Sequence, residues 1–197
     1  MKAVRIKQQG GPEVMSFDDI DQPQPAATEV LIKIEAAGIN YIDTYQRSGL
    51  YQIPLPTTLG LEASGTVEGI GSDVSRFKIG DRVAYTNVLG AYAEYSALDQ
   101  DKVVALPDGV SFNEGAAAML QGCTAHYLSQ STYSIKKGNS CLIHAAAGGV
   151  GLILTQMAKN AGAYVIGTVS TPEKAELAHL AVEMRSFSTP RPILRPK

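Results

Sequence analysis

The chain has 197 residues, 45% of them hydrophobic and 18% charged, which is enough apolar side chain for a sizeable core in one or two globular units. Its formal net charge of −2 argues against a general nucleic-acid role and hides an asymmetry, because residues 182–197 carry a net of +3 and residues 1–181 a net of −5. The N-terminus lacks the apolar run of a signal peptide, and no stretch reaches the ~20 apolar residues of a membrane span. Cys123 and Cys141 are too few for a disulfide framework and lack metal-type spacing. A cytoplasmic protein with two reduced, packed thiols and no membrane contact is expected.

Lys2 to Gln8 alternates apolar and polar residues as a half-buried strand does, and Gly10-Gly-Pro12 turns it into a second short strand around Val14 to Phe17. Asp21-Gln-Pro-Gln-Pro25 is a rigid loop, since proline cannot donate to a sheet. Glu29 to Ala37 reads as a strong strand with Val30, Ile32 and Ile34 on one face, delivering the chain to Gly38-Ile-Asn40. Asn40 to Arg47 forms one or two helical turns that end at Ser48-Gly49, with Tyr41 and Tyr45 four apart on a shared face. Leu61 to Ile70, Asp81 to Thr86, Ala91 to Ala97 and Lys102 to Ala105 are short strands bounded by Gly, Asp or Pro. Their spacing predicts a barrel-like β unit.

Ser111-Phe-Asn-Glu114 is a capping box announcing a helix through the alanines to about Leu128, bent near Gly122. Cys141-Leu-Ile-His then opens a buried strand, and Ala145 to Ala147 are small enough for a sharp turn. Val150, Ile153, Leu154, Met157, Ala158 and Ala161 recur at three- and four-residue intervals, so one helical face is apolar, and Gly162 closes that helix. The turn, Ala146-Ala-Gly148-Gly-Val-Gly151, is a G-x-G-x-x-G fingerprint with alanine at its first position. Gly148 lets backbone N–H groups approach a pyrophosphate, Gly151 lets the helix pack close to the strand, and the helix N-terminus offers unpaired donors to phosphate. Its strand–turn–helix setting is the context the motif requires.

Tyr164 to Gly167 is the second strand of this unit. An NAD site places Asp or Glu at the tip of that strand to hold the ribose 2′-hydroxyl. Here the tip reads Thr168-Val-Ser170-Thr-Pro-Glu-Lys174, and hydroxyls with a lysine suit a 2′-phosphate, so NADPH is the expected cofactor.

The order of these pieces resembles the medium-chain dehydrogenase/reductase superfamily, and within it the quinone oxidoreductases related to ζ-crystallin. The matching residues are Gly10-Gly-Pro-Glu-Val14, Ala37-Gly-Ile-Asn-Tyr-Ile-Asp-Thr-Tyr45, Arg47-Ser-Gly-Leu-Tyr51, Gly60-Leu-Glu-Ala-Ser-Gly65, Gly80-Asp-Arg-Val83 and His144-Ala-Ala-Ala-Gly-Gly-Val-Gly151. The resemblance implies a GroES-like β-barrel catalytic domain over 1–120 and a partial, parallel, doubly wound Rossmann domain for NADPH over 121–181. Zinc alcohol dehydrogenases of this superfamily carry cysteine where Asn40 stands and histidine where Leu61 stands, so no catalytic metal is expected. The implied chemistry is hydride transfer from NADPH to a small-molecule quinone, with a homodimer expected of intact relatives. Asn40, Tyr41, Tyr45 and Thr124 are then expected at the nicotinamide end, Gly148, Gly149 and Val150 at the pyrophosphate, and Thr168, Ser170 and Lys174 at the 2′-phosphate. Tyr45 or Tyr51 is the expected group to orient or protonate the quinone oxygen. Reduction of activated alkenes and a non-enzymatic NADPH-binding or structural role remain as alternatives.

After Ala181 the resemblance stops. Residues 182–197 are basic and rich in proline, a composition that argues against a further strand. The 58 residues from Ser140 onward are accordingly expected to supply two strands and one or two helices, against the two βαβαβ halves of a complete dinucleotide fold. A frameshift after Ala181 is the expected cause, to be tested by re-reading the gene in its other frames, with a basic tail for an anionic partner as the rival. The 197-residue polypeptide is expected to bind NADPH weakly, turn over little and leave apolar surface and strand edges uncovered.

Overall fold

A computed structural model describes residues 1–181 and the strand 185–188. The chain divides into two compact units, one of Met1–Leu120 and one beginning at Gln121. In chain order the first holds β1 (Lys2–Ile6), β2 (Met15–Asp19), β3 (Glu29–Ala37), α1 (Tyr41–Ser48), β4 (Thr57–Thr58), β5 (Glu62–Ile70), β6 (Arg82–Thr86), β7 (Tyr95–Asp99) and β8 (Val103–Ala105). Helix α2 (Phe112–His126) runs from the first unit into the second and continues as π-helical turns over Tyr127–Thr132. The change of helical geometry therefore falls at Tyr127 and not at Gly122. Then come β9 (Ser140–Ile143), α3 (Gly149–Asn160), β10 (Tyr164–Val169), α4 (Pro172–Ala181) and β11 (Arg185–Ser188).

The first unit is antiparallel throughout. Five strands pair in the order β7-β3-β5-β6-β8, and three more in the order β2-β1-β4, the two sheets meeting at the bridge Ala3↔Ala93. Val30, Ile32, Val67, Val83, Tyr85 and Leu98 make the core, as the alternation in their strands requires. Leu31, on the opposite face of β3, is buried as well, and beside it the ladder shifts register, with Glu68 of β5 the extra residue between Val67 and Gly69. Gly65 pairs with Ile34 at the centre of the sheet, and a Cβ there would run into the Lys33 carbonyl oxygen. Gly65→Ala is expected to cost about 3 kcal/mol and to lower the thermal midpoint by about 10 °C in a circular-dichroism melt, since backbone atoms have nowhere to move.

The second unit is a parallel sheet in the order β11-β10-β9. Val165 and Val169 of β10 pack with Ala158 of α3 and Ala178 of α4, so both helices cover one face. The other face is open, with Leu142 at 60% exposure and Tyr164 half-exposed. Three strands are present where two were expected, because Arg185–Ser188 pairs in parallel with Ile166–Val169. The tail's composition misled here: its prolines all follow Ser188, so those four residues keep every N–H available to the ladder. Residues 182–184 and 189–197 lie outside the described residues, and with them the rest of the expected basic tail. Among the described residues no helix is long and apolar enough to cross a membrane.

Candidate functional site

In the first unit the site grows from the end of β3. Gly38 carries no side chain because Glu62 lies against it, and a Cβ at position 38 would fall on the Glu62 carboxylate. Asn40 caps α1: its backbone N–H donates to Asp43 Oδ2 at 2.8 Å, the reach-back bond of a capping box, and Gly49 at φ 89° ends the helix. Asn40 Nδ2 also donates to Glu62 Oε1 at 2.7 Å, and the backbone N–H of Leu120 donates to Glu62 Oε2 at 2.6 Å. Glu62 is fully buried, 0% exposed, and Asp43 nearly so. The Tyr92 hydroxyl donates to Asp43 Oδ2 at 2.6 Å. Desolvation, followed by that bond and the charges of Asp43 and Glu62, raises the Tyr92 phenol well above its ordinary range, so it stays a donor through neutral and mildly alkaline pH.

A cleft of about 600 Å³ opens beside this network, lined by Asn40, Asp43, Arg47 and Tyr92 and walled by Val4, Met15 and Leu59. Its few polar groups in an apolar wall match a site for a small organic molecule. Of the tyrosines expected here, Tyr41 is 82% exposed, while Tyr45 meets Tyr51 edge-on with ring centroids 5.6 Å apart. Tyr51 N–H also donates to the Tyr45 carbonyl at 3.1 Å, so the loop after α1 is fastened back onto the helix and the two phenols form one cluster.

In the second unit the turn after β9 is tied down at both ends. Ala145 takes a left-handed conformation with φ 51°, Ala146 N–H donates to the Thr168 carbonyl at 3.0 Å, and Gly148 N–H donates to the Ala145 carbonyl at 2.8 Å. Gly148 caps α3 with extended backbone, so the N–H groups of Gly149, Val150 and Gly151 begin the helix without intrahelical partners. Those donors and the dipole of a 12-residue helix suit a phosphate group. A Cβ at Gly149 would fill this cradle against Gln121, and one at Gly151 would strike the Ala145 oxygen and the Ala146 backbone.

The tip of β10 stands next to the cradle. Thr168 Oγ1 lies 3.0 Å from His144 Nδ1, and Lys174 Nζ donates to Ser170 Oγ at 3.2 Å. Glu173 precedes Lys174 in the chain, and hydrogen bonds from Thr171 and from its own backbone N–H hold its carboxylate at the first turn of α4 and lower its pKa. Thr168, Ser170 and Lys174 thus group around one strand end, beside Gly148 to Val150. Thr124 lies half-buried on the second-unit part of α2. Cys141 is partly buried against the second core, whereas Cys123 is exposed, contrary to the packed thiol expected.

Glu62, Asp43 and Tyr92 are what the sequence reading passed over. Asn40 and Asp43 stand in capping-box spacing, and Glu62 is the one charge within the run Leu61-Glu-Ala-Ser-Gly65, so both signals were present. Among the described residues no group of three or more His, Cys, Asp or Glu is arranged to hold a metal ion.

Residues 26–108 match the family model of the alcohol dehydrogenase GroES-like domain. A quinone oxidoreductase of Pseudomonas aeruginosa is 52% identical over 95% of this chain and 59% of its own length. Among solved structures, Escherichia coli quinone oxidoreductase complexed with NADPH superposes with a TM-score of 0.92 at 45% identity, covering 95% of this chain and 58% of that one. A mycobacterial protein complexed with NADPH gives 0.93 at 46% identity, over 97% and 60%. The chain spans about three fifths of the length of these relatives. Sequence and fold agree: residues 26–108 match the alcohol dehydrogenase GroES-like domain, and over about three fifths of their length the chain is similar to quinone oxidoreductases.

Proposed function

We propose that the chain carries the NADPH and quinone sites of an NADPH-dependent quinone reductase. The observation that carries this reading is the pairing of Ser170 with Lys174 at the tip of β10, beside a turn whose N–H groups begin α3 unpaired. When bound there, NADPH supplies the hydride. Gly148, Gly149 and Val150 take the pyrophosphate through backbone donors, and Thr168, Ser170 and Lys174 hold the 2′-phosphate. Asn40, Tyr41, Tyr45 and Thr124 face the nicotinamide end. The Tyr45–Tyr51 cluster supplies phenolic hydroxyls to orient or protonate a quinone oxygen. Asn40 and Leu61, in place of a thiolate and an imidazole, support a reaction without metal, since quinones accept electrons without a strong Lewis acid. The finer expectations of a cytoplasmic setting and a homodimer belong to the same reading, and two free thiols suit a reducing compartment.

Parallel assays of NADPH oxidation with p-benzoquinone and with a small enal test the substrate class. Oxidation driven by the quinone in preference to the enal supports the proposal. Preference for the enal moves the site to alkene reduction, and saturable NADPH binding with oxidation by neither moves it to a binding role.

A further inference from the structure

We propose that Gln121 is a further cofactor-binding residue, whose side-chain amide donates to the pyrophosphate at the N-terminus of α3. The inference rests on the reading of that helix end as a pyrophosphate cradle.

Gln121 belongs to the second unit, half-buried on α2 and one helical turn before Thr124, so the two side chains share a face. Its carboxamide lies directly against Gly149, the first residue of α3: a Cβ at position 149 would overlap Oε1 and Cδ of Gln121 and stand 2.8 Å from its Nε2. The missing side chain at Gly149 thus leaves room for this amide as well as for a ligand. An amide brought to a helix start has two uses within the protein, a hydrogen bond to a neighbour or a cap on the helix, and it serves neither. Among the described residues no hydrogen bond engages the Gln121 side chain, and Gly148 gives α3 no side-chain cap. Both the amide and the first N–H groups of α3 are therefore available to the same ligand.

The chemistry narrows the ligand atom. The N–H groups of Gly149 and Val150 hold oxygens that present only lone pairs, so the amide meets such an oxygen with its NH2. Rotation about the last side-chain torsion brings Nε2 round without moving α2. Thr168, Ser170 and Lys174, at the tip of β10, are taken up with the 2′-phosphate, whereas the pyrophosphate is common to NADPH and NADH. Gln121 therefore adds affinity for either dinucleotide and takes no part in choosing between them. Being neutral, it does so without the salt-screened attraction that a lysine exerts.

Titration of the full chain with NADPH and with NADH tests this. Q121A is expected to raise both dissociation constants about fivefold, and Q121E, which sets a carboxylate against the pyrophosphate, about thirtyfold. In each variant the factor is the same for the two cofactors, and the thermal midpoint stays within about 2 °C of wild type, since the side chain has no protein partner to lose. G149A supplies the Cβ that displaces the amide, so Q121A is expected to have no further effect in the G149A background. Inorganic pyrophosphate, followed in 15N-edited spectra of wild type, is expected to shift the Gln121 NH2 together with the backbone amides of Gly149 and Val150. An effect of Q121E confined to NADPH, a Q121A loss that persists undiminished in G149A, or pyrophosphate shifts at the backbone amides with none at Gln121 overturns the proposal. Equal affinity of wild type for NADPH and NADH defeats the 2′-phosphate reading instead, while the equal-factor and pyrophosphate results still decide the role of Gln121. A wild type that binds neither dinucleotide nor pyrophosphate overturns both.

Discussion

Gly151→Val is expected to abolish NADPH binding and to unfold the second unit well below the melting temperature of wild type. Gly151 occupies the first turn of α3, where a Cβ would strike the Ala145 oxygen and lie 2.7–2.8 Å from Ala146 backbone atoms. These are main-chain neighbours, held by the Ala146 N–H bond to the Thr168 carbonyl, so they cannot yield as a flexible side chain would. A branched side chain forces α3 away from β9, opening the contact of Ala158 with Val165 on which the second core depends. Overpacking of this kind costs about 3 kcal/mol or more, and displacement of the helix end also removes the phosphate donors. Calorimetric titration with NADPH and a thermal melt check it together. A variant that binds NADPH within about threefold of wild type refutes the cradle as described.

The second large effect concerns the choice between cofactors. Ser170→Asp puts a carboxylate within reach of Lys174 Nζ, which now bonds Ser170 Oγ at 3.2 Å. The new acid pairs with the lysine and repels a 2′-phosphate from the place the lysine attracts it to. Two like charges about 4 Å apart repel by about 4 kcal/mol at an effective dielectric constant near 20, and solvent exposure of Ser170 reduces this. NADPH binding is accordingly expected to weaken about a hundredfold, with NADH changed by less than about threefold. Equal weakening of both cofactors would show that the substitution disturbs the fold and not the phosphate contact.

Much of this was legible in the residues because it depends on backbone and on short-range pattern. The strand Glu29–Ala37 has the same bounds in the sequence and in the structure, since its apolar positions alternate and turn residues flank it. The phosphate turn was legible for a related reason: it is built from main-chain N–H groups, and glycine spacing records where the main chain must come close. The two-residue strand Thr57–Thr58 was not, because only its partner β1 makes it a strand. Arg185–Ser188 was hidden by reading residues 182–197 as one composition, when the prolines occupy only its later part.

In the site, the Asn40–Glu62 bond joins residues 22 apart, and no local spacing announces it. Gly38 held the clue, being the position that Glu62 overlies. Tyr45 and Tyr51 were expected for their chemistry, and the structure adds that their rings touch. Among the described residues the β11-β10-β9 sheet has one open face, with Leu142 and Tyr164 exposed.

The central claim is that the tip of β10 reads a 2′-phosphate. Titrating the protein with NADPH and with NADH under identical conditions, at low and at high salt, tests it most directly. NADPH is expected to bind at least about tenfold tighter than NADH at low salt, the gap narrowing as salt rises, because Lys174 and the hydroxyls act on the extra phosphate through solvent-exposed, screened contacts. Equal affinities at both salts, or tighter binding of NADH, would contradict it.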